Sequence, residues 1–209
     1  MIDRPAVTSI VVAGGRGKRF GRDKLAEDMG GRTLLQRVVD AIGPLSNDIV
    51  IAIAPGQPAP ELSPASPQIV TDVYPGKGTL GGIYTGLVSS HCFHSLVVAG
   101  DMPFLNISLL RYMIDSASGF DVVIPRIDSM LEPLHAVYSK NCIGPMREQI
   151  ERDELKIRVF LDRVKVRYLE EAEVEEFDPD RMSFFNINTR DDLRKARVLL
   201  QQIAGIRES

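Results

Sequence analysis

Short apolar runs alternate along this chain with longer stretches whose apolar residues recur every three or four positions, and few folds accept that alternation. A short apolar run between turn residues reads as a strand buried on both faces. The amphipathic stretch after it reads as the helix that crosses back over the sheet. Ser9–Ala13, Ile49–Ala54, Gln68–Thr71, Ser95–Ala99 and Asp121–Ile124 read as strands, and His135–Tyr138 and Lys165–Tyr168 as two more that extend the same sheet. The spacing predicts helices over Thr33–Ile42, Leu80–Ser89, Ile107–Ser116, Ile143–Ile150 and Arg190–Ile203. In the first of these, Leu34, Leu35, Val38, Val39 and Ile42 share one face. Repeated βα units of this kind give an α/β fold: a three-layer sandwich with a mostly parallel, Rossmann-like sheet at its centre. A length of 209 residues suits one such domain, here residues 1–209.

Local signals refine the frame. Thr189-Arg190-Asp191-Asp192 has a capping-box start, with an acid three residues after the threonine. Gln57–Pro67 holds four prolines and reads as a surface loop. The acidic run Glu170–Glu176 reads as a solvated face or turn.

Composition narrows the function classes. A formal net charge of −3 gives no general field for a polyanion, so nucleic acid is not the expected partner. Cys92 and Cys142 form no CxxC pair and imply no disulfide framework, which fits a reducing compartment. No stretch approaches the roughly 20 apolar residues that cross a bilayer, and the start lacks a signal-peptide pattern. The expectation is a cytoplasmic protein without a membrane partner. His91, Cys92 and His94 have no further ligand nearby and are expected on a loop surface.

Three strand ends carry the residue types of a phosphate and metal site. After the first strand, Gly14, Gly15, Gly17 and Gly21 fall within eight residues, interleaved with Arg16, Lys18, Arg19, Arg22 and Lys24. Glycine lets backbone N–H groups approach phosphate oxygens, and the basic side chains neutralise their charge. Neither the dinucleotide fingerprint, which needs glycine where Phe20 stands, nor GxxxxGK[ST] is present. After the fourth strand, Val97-Val98-Ala99-Gly100-Asp101-Met102-Pro103 puts a carboxylate where open α/β sheets bind ligands, suited to a hard cation such as Mg²⁺. A helix cap would be the structural use of the same aspartate. After the third, Asp72 leads through a glycine-rich turn into a helix whose N-terminus offers free donors, and the missing side chains at Gly78, Gly81 and Gly82 would let a base or ribose lie against the backbone.

The opening AGG-x-G-x-R-F-G-x-D-K, the segment GDMPF, the turn G-x-L-G-G-I, Pro133-Leu134-His135-Ala136 and Phe185-Asn186-Ile187-Asn188-Thr189 together resemble the molybdenum cofactor guanylyltransferase family, in order and spacing from Ser9 to Leu193. The resemblance implies the nucleotide-diphospho-sugar transferase type of sandwich. It also implies transfer of GMP from GTP, with Mg²⁺, to the terminal phosphate of molybdopterin bearing molybdenum, releasing pyrophosphate. Carried over by position, Ala13, Gly14 and Gly15 would contact the nucleotide, Lys24 and Arg19 its phosphates, and Asp72 the nucleoside; Asp101 would hold the metal. His135, Asn186 and Asn188 would lie on the acceptor side. Proteins that insert molybdenum or deliver the cofactor would be further partners.

The chain departs from the family pattern at Thr79, where proline is usual, at Gly100, where cysteine is frequent, and at Ala52, where an asparagine serves the nucleotide. Alternatives are a cytidylyltransferase for the same cofactor, a sugar-phosphate nucleotidyltransferase, and a nucleotide-sensing module without turnover. Gly14, where many pyrimidine-using relatives carry alanine, is read as making room for a purine.

Overall fold

The computed structural model describes residues 6–14, 24–63 and 66–207. In chain order the elements are β1 (Val7–Val12), α1 (Leu34–Ile42), β2 (Asp48–Ile53), β3 (Gln68–Thr71), α2 (Gly78–Ser89), β4 (His94–Ala99), α3 (Ile107–Asp115), β5 (Val122–Ile127), β6 (Met130–Leu131), β7 (His135–Ser139), α4 (Ile143–Glu151), α5 (Ile157–Leu161), β8 (Val166–Glu170), α6 (Glu171–Glu175) and α7 (Arg190–Arg207).

The strands form one sheet in the order β3-β2-β1-β4-β7-β5-β6, with β8 paired to β5. β1, β2, β3 and β4 are mutually parallel, with Val11 level with Ile51 on one side and Val98 on the other. β7 enters antiparallel between β4 and β5, so β5 again runs with β4, and β8 runs parallel to β5. All six strands of that orientation therefore end on one edge.

Alternation along the strands builds the three layers. Val7 and Val11 of β1, Ile51, Leu96, Val98, Val123 and Val137 pack with α1 and α3 on one face. Ile10, Val50, Val97, Val122, Ile124 and Tyr138 pack with α2, α4 and α5 on the other. Helix α2 lies close on β1 because it shows the strand no side chains at two successive turns. A Cβ at Gly82 would stand 2.8 Å from Val12 Cγ1, and one at Gly86 2.2 Å from Ile10 Cγ2.

The caps follow the residues that supply them. Thr33 accepts from the Gln36 N–H at 3.1 Å at the start of α1, and Asn106 accepts from Ser108 and Leu109 ahead of α3. At α7, Thr189 and Asp192 exchange bonds of 2.8 and 3.1 Å, the expected capping box.

Three elements have no counterpart in the sequence reading: β6, α5 and α6. Two are single helical turns and one a two-residue strand, too short to show a period. The acidic run Glu170–Glu176 is a largely solvated face, as expected, but a helical one rather than a turn. It closes β8 and forms α6 through a capping box between Glu170 and Glu173, with its acids at the N-terminus where the helix dipole favours them. Arg167 holds Glu173 at 2.9 Å, and Arg181 reaches both Glu171 and Glu175.

Candidate active site

The ladder hydrogen bonds continue one step past the strands at the shared edge: Ala13 N–H to Ala52 at 2.8 Å, Asp72 N–H to Ile53 at 2.8 Å, and Gly100 N–H to Val12 at 3.1 Å. Ala13, Gly14, Asp72 and Asp101 therefore stand side by side where the sheet ends, the usual ligand crevice of an open parallel sheet.

Lys24 sits in a short 3₁₀ turn, Lys24–Ala26, anchored by the buried Leu25 next to it. Its ammonium donates to Asp101 Oδ2 at 2.5 Å, to the Ile187 carbonyl at 2.9 Å and to Asn188 Oδ1 at 3.4 Å. Three donors meet three acceptors from two distant segments, which uses the full donor set of an ammonium. Ile187 completes the frame by donating its N–H to the Asp101 carbonyl at 3.0 Å. The pair is shielded but not sealed, with side-chain exposures of 20% for Lys24 and 18% for Asp101. Asp101 is thus a paired carboxylate at the cleft rather than a helix cap; α3 takes its cap from Asn106.

Among the described residues no group of three or more His, Cys, Asp and Glu gathers in the manner of a protein cage for a metal. One carboxylate at an open edge suits Mg²⁺, which keeps its waters and takes its remaining ligands from substrate phosphates.

Gln57, in the proline-rich loop, spans the ends of β1 and β2. It accepts from the Ala54 N–H at 3.2 Å and donates to the Ala13 carbonyl at 3.3 Å. Asp72 Oδ1 accepts from the Tyr74 N–H at 3.0 Å and the Thr85 hydroxyl at 2.9 Å, tying the end of β3 to α2.

Gly14, the strand-end carboxylates Asp72 and Asp101, and Ile187 and Asn188 of the closing segment are now at one edge, and comparison with known proteins shows what group this is. The model of the MobA-like NTP transferase domain matches residues 9–168. The chain belongs to the MobA-like NTP transferase family. It is 33% identical over 198 residues to a molybdenum cofactor guanylyltransferase of Desulfosudis oleivorans, covering 94% of this chain and 96% of that one. It is also similar to the structure of molybdopterin-guanine dinucleotide biosynthesis protein A from Archaeoglobus fulgidus, with a TM-score of 0.79 and 28% identity over 94% of this chain and 100% of that one. The fold alone is shared more widely. A 2-C-methyl-D-erythritol 4-phosphate cytidylyltransferase from Thermus thermophilus aligns with a TM-score of 0.68 at 16% identity, covering 93% of this chain and 99% of that one.

Within this family frame, the structure brings together Lys24, Asp101 and Asn188, with Ala13, Gly14 and Asp72 along the same edge. Gly15 and Arg19 lie outside the described residues. Asn186 is not part of the cluster: its amide donates to the Phe184 carbonyl of its own segment at 3.1 Å. His135 is corrected more sharply. It is wholly buried on β7 against the Phe184 ring, 4.7 Å between centroids, so it supports the closing segment and has no surface for an acceptor. Burial lowers its pKa to about 4, with the Asp178 carboxylate pulling weakly the other way.

The glycines also serve the protein more than a ligand. A Cβ on Gly14 would meet the backbone of β2, 3.0 Å from Ala54 N, so close chain approach and not space for a purine explains this glycine. Gly81 faces the Tyr74 carbonyl and Gly82 faces Val12; of the three glycines read as a nucleoside platform, Gly78 alone is open. Gly100, where relatives often carry cysteine, packs over Leu25, whose Cδ1 lies 3.2 Å from where a Cβ would stand. Ala52 is buried in β2.

His91 bonds Asp48 at 2.9 Å on the opposite side of the sheet from this edge, and His94 and Cys92 add no ligand set. No helix among the described residues is long and apolar enough to cross a membrane. Sequence reasoning missed Gln57, Thr85 and the Ile187 peptide. The first two look like ordinary loop and helix residues, and a backbone group has no residue signature at all.

Proposed function

We propose that this chain transfers GMP from GTP to the terminal phosphate of molybdopterin carrying molybdenum, releasing pyrophosphate and forming the guanine dinucleotide cofactor. The observation that carries the reading is the convergence of Lys24 and Asp101 at the carboxyl edge of the parallel sheet. An oxygen of the acceptor phosphate forms a bond to the α-phosphorus of GTP while the bond from that phosphorus to the β-bridging oxygen breaks. The electron pair leaves with pyrophosphate. A phosphate monoester is largely ionised at neutral pH, so no side chain needs to remove a proton. The protein's task is positioning and charge neutralisation.

In this reading Lys24, with Arg19, neutralises charge on the α-phosphate and the leaving group, and the backbone of Ala13, Gly14 and Gly15 receives the nucleotide. Asp72 holds the β3–α2 turn that faces the nucleoside, and Gln57 fixes the Ala13 strand end. Asp101 would hold Mg²⁺, which supplies the positive charge that lets two anionic phosphates approach. Asn188 orients Lys24. The guanine assignment rests on the relatives' activity, since the Gly14 geometry does not select a base. The test is pyrophosphate release from each of the four nucleoside triphosphates with Mg²⁺ and molybdopterin loaded with molybdenum. Release from GTP alone is expected. Preference for CTP, or for a sugar phosphate as acceptor, would replace this reading.

A further inference from the structure

A cavity of about 730 Å³ lies between the β5–β6 hairpin, α5 and the end of β8. It is not the Lys24–Asp101 cluster, yet it opens on the same edge of the sheet, because β5 and β8 run parallel to β4. β5 is two strand spacings from β4 and β8 three, about 10 and 14 Å at the usual interstrand distance. A fused-ring acceptor with its phosphate at Asp101 is long enough to reach it. The volume falls in the range of small-molecule sites.

The lining is built for a flat, uncharged heterocycle. The Arg126 guanidinium lies over the Tyr168 ring at 4.9 Å and is held there through its Nε, 3.1 Å from Glu170, and by a second bond to the same carboxylate. A guanidinium held over a ring offers its outer face as a stacking platform. Arg158 is held by the Ser129 carbonyl at 2.7 Å, leaving it other N–H groups for a ring carbonyl. Asp162, one turn after Arg158 at the C-terminal end of α5, has no ion-pair or hydrogen-bond partner for its carboxylate among the described residues. Such a carboxylate accepts two parallel bonds from an adjacent ring N–H and amino group. With Glu170 and Glu171, the acids around the cavity outnumber its two arginines, which disfavours a second triphosphate.

We propose that this cavity binds the pterin ring of the acceptor, with Arg126 stacking on the ring, Asp162 taking its amino edge and Arg158 its carbonyl. The proposal rests on the acceptor named above. It makes Asp162 and Arg158 specificity-determining residues for the substrate's distal end.

The experiment titrates 6-hydroxymethylpterin by its fluorescence into the whole protein with GTP and Mg²⁺ saturating, so that the guanine-like ring cannot enter the nucleotide cleft. Saturable quenching is expected in the wild type, and at least tenfold weaker binding in Asp162→Asn and in Arg158→Met. Both positions are exposed, and melting temperatures check that the variants fold. In GMP transfer the same variants should raise KM for the acceptor and leave kcat and KM for GTP unchanged. No saturable binding by the wild type, or wild-type affinity in either variant, would overturn the proposal. Absence of GMP transfer by the wild type counts instead against the proposed reaction, because the pterin titration reads the cavity by itself.

Discussion

Lys24 and Asp101 stand 77 residues apart in the chain and meet in a 2.5 Å ion pair over the end of β4, with the Ile187 peptide bonded to both. Asp101→Asn keeps the size and removes the charge. Lys24 would retain the Ile187 carbonyl and Asn188, so the loss of stability should be about 1 kcal/mol, between an exposed pair and a buried one. Product formation should fall by about 10² or more, the usual cost of one well-placed electrostatic contributor. Paired melting curves and Mg²⁺-dependent pyrophosphate release check both halves. Near-normal turnover would move the metal role to another acid, Asp72 first.

Lys24→Met should lower kcat more than it weakens GTP binding, since a charge aimed at the reacting phosphorus acts most strongly in the transition state. Steady-state rates beside GTP dissociation constants separate the effects. A change in KM alone would make Lys24 a ground-state anchor.

Gly14→Ala tests the reason for that glycine. Its Cβ would press on Ala54 N at 3.0 Å, so the β1 end must shift. GTP and CTP affinities should fall together, read by thermal shift with each nucleotide. A selective loss of GTP would restore the purine-room explanation.

His135 makes stability pH-dependent. Its folded pKa of about 4 lies below the ordinary 6.5, so the unfolded chain binds the proton first. Its contribution is intact above pH 6.5 and declines as pH falls from 6.5 towards 4, by about 2 kcal/mol at pH 5. His135→Phe keeps a ring against Phe184 and should flatten that part of the curve in urea unfolding from pH 7 to 5. Identical slopes in both proteins would contradict a buried neutral imidazole.

Two glycines on different helices should respond oppositely to alanine. Gly86→Ala drives a methyl into Ile10 and should cost about 2 kcal/mol through overpacking. Gly144 in α4 has nothing within 4 Å of its would-be Cβ, and Gly144→Ala should gain about 0.5–1 kcal/mol from helix propensity. Denaturant midpoints decide both.

The strands from Val7 to Ala99 and the five long helices were legible because burial on both faces of a sheet, or on one face of a helix, forces a period into the residues that form it. Asp72, Asp101 and Lys24 were legible for a related reason, since a parallel sheet delivers whatever follows its strands to one edge. What the sequence could not show is which residues meet across the chain. Asn188 reaches Lys24 while Asn186 turns back on its own segment, and His135 is sealed behind Phe184, although all three belong to motifs of similar appearance. Gly14, Gly82 and Gly86 are explained by the atoms opposite them, Ala54, Val12 and Ile10, none of them a near neighbour in sequence. A local pattern records what each residue needs from its own element. Whether an absent side chain makes room for a ligand or for another strand is settled by long-range packing, and only the tertiary structure holds that information.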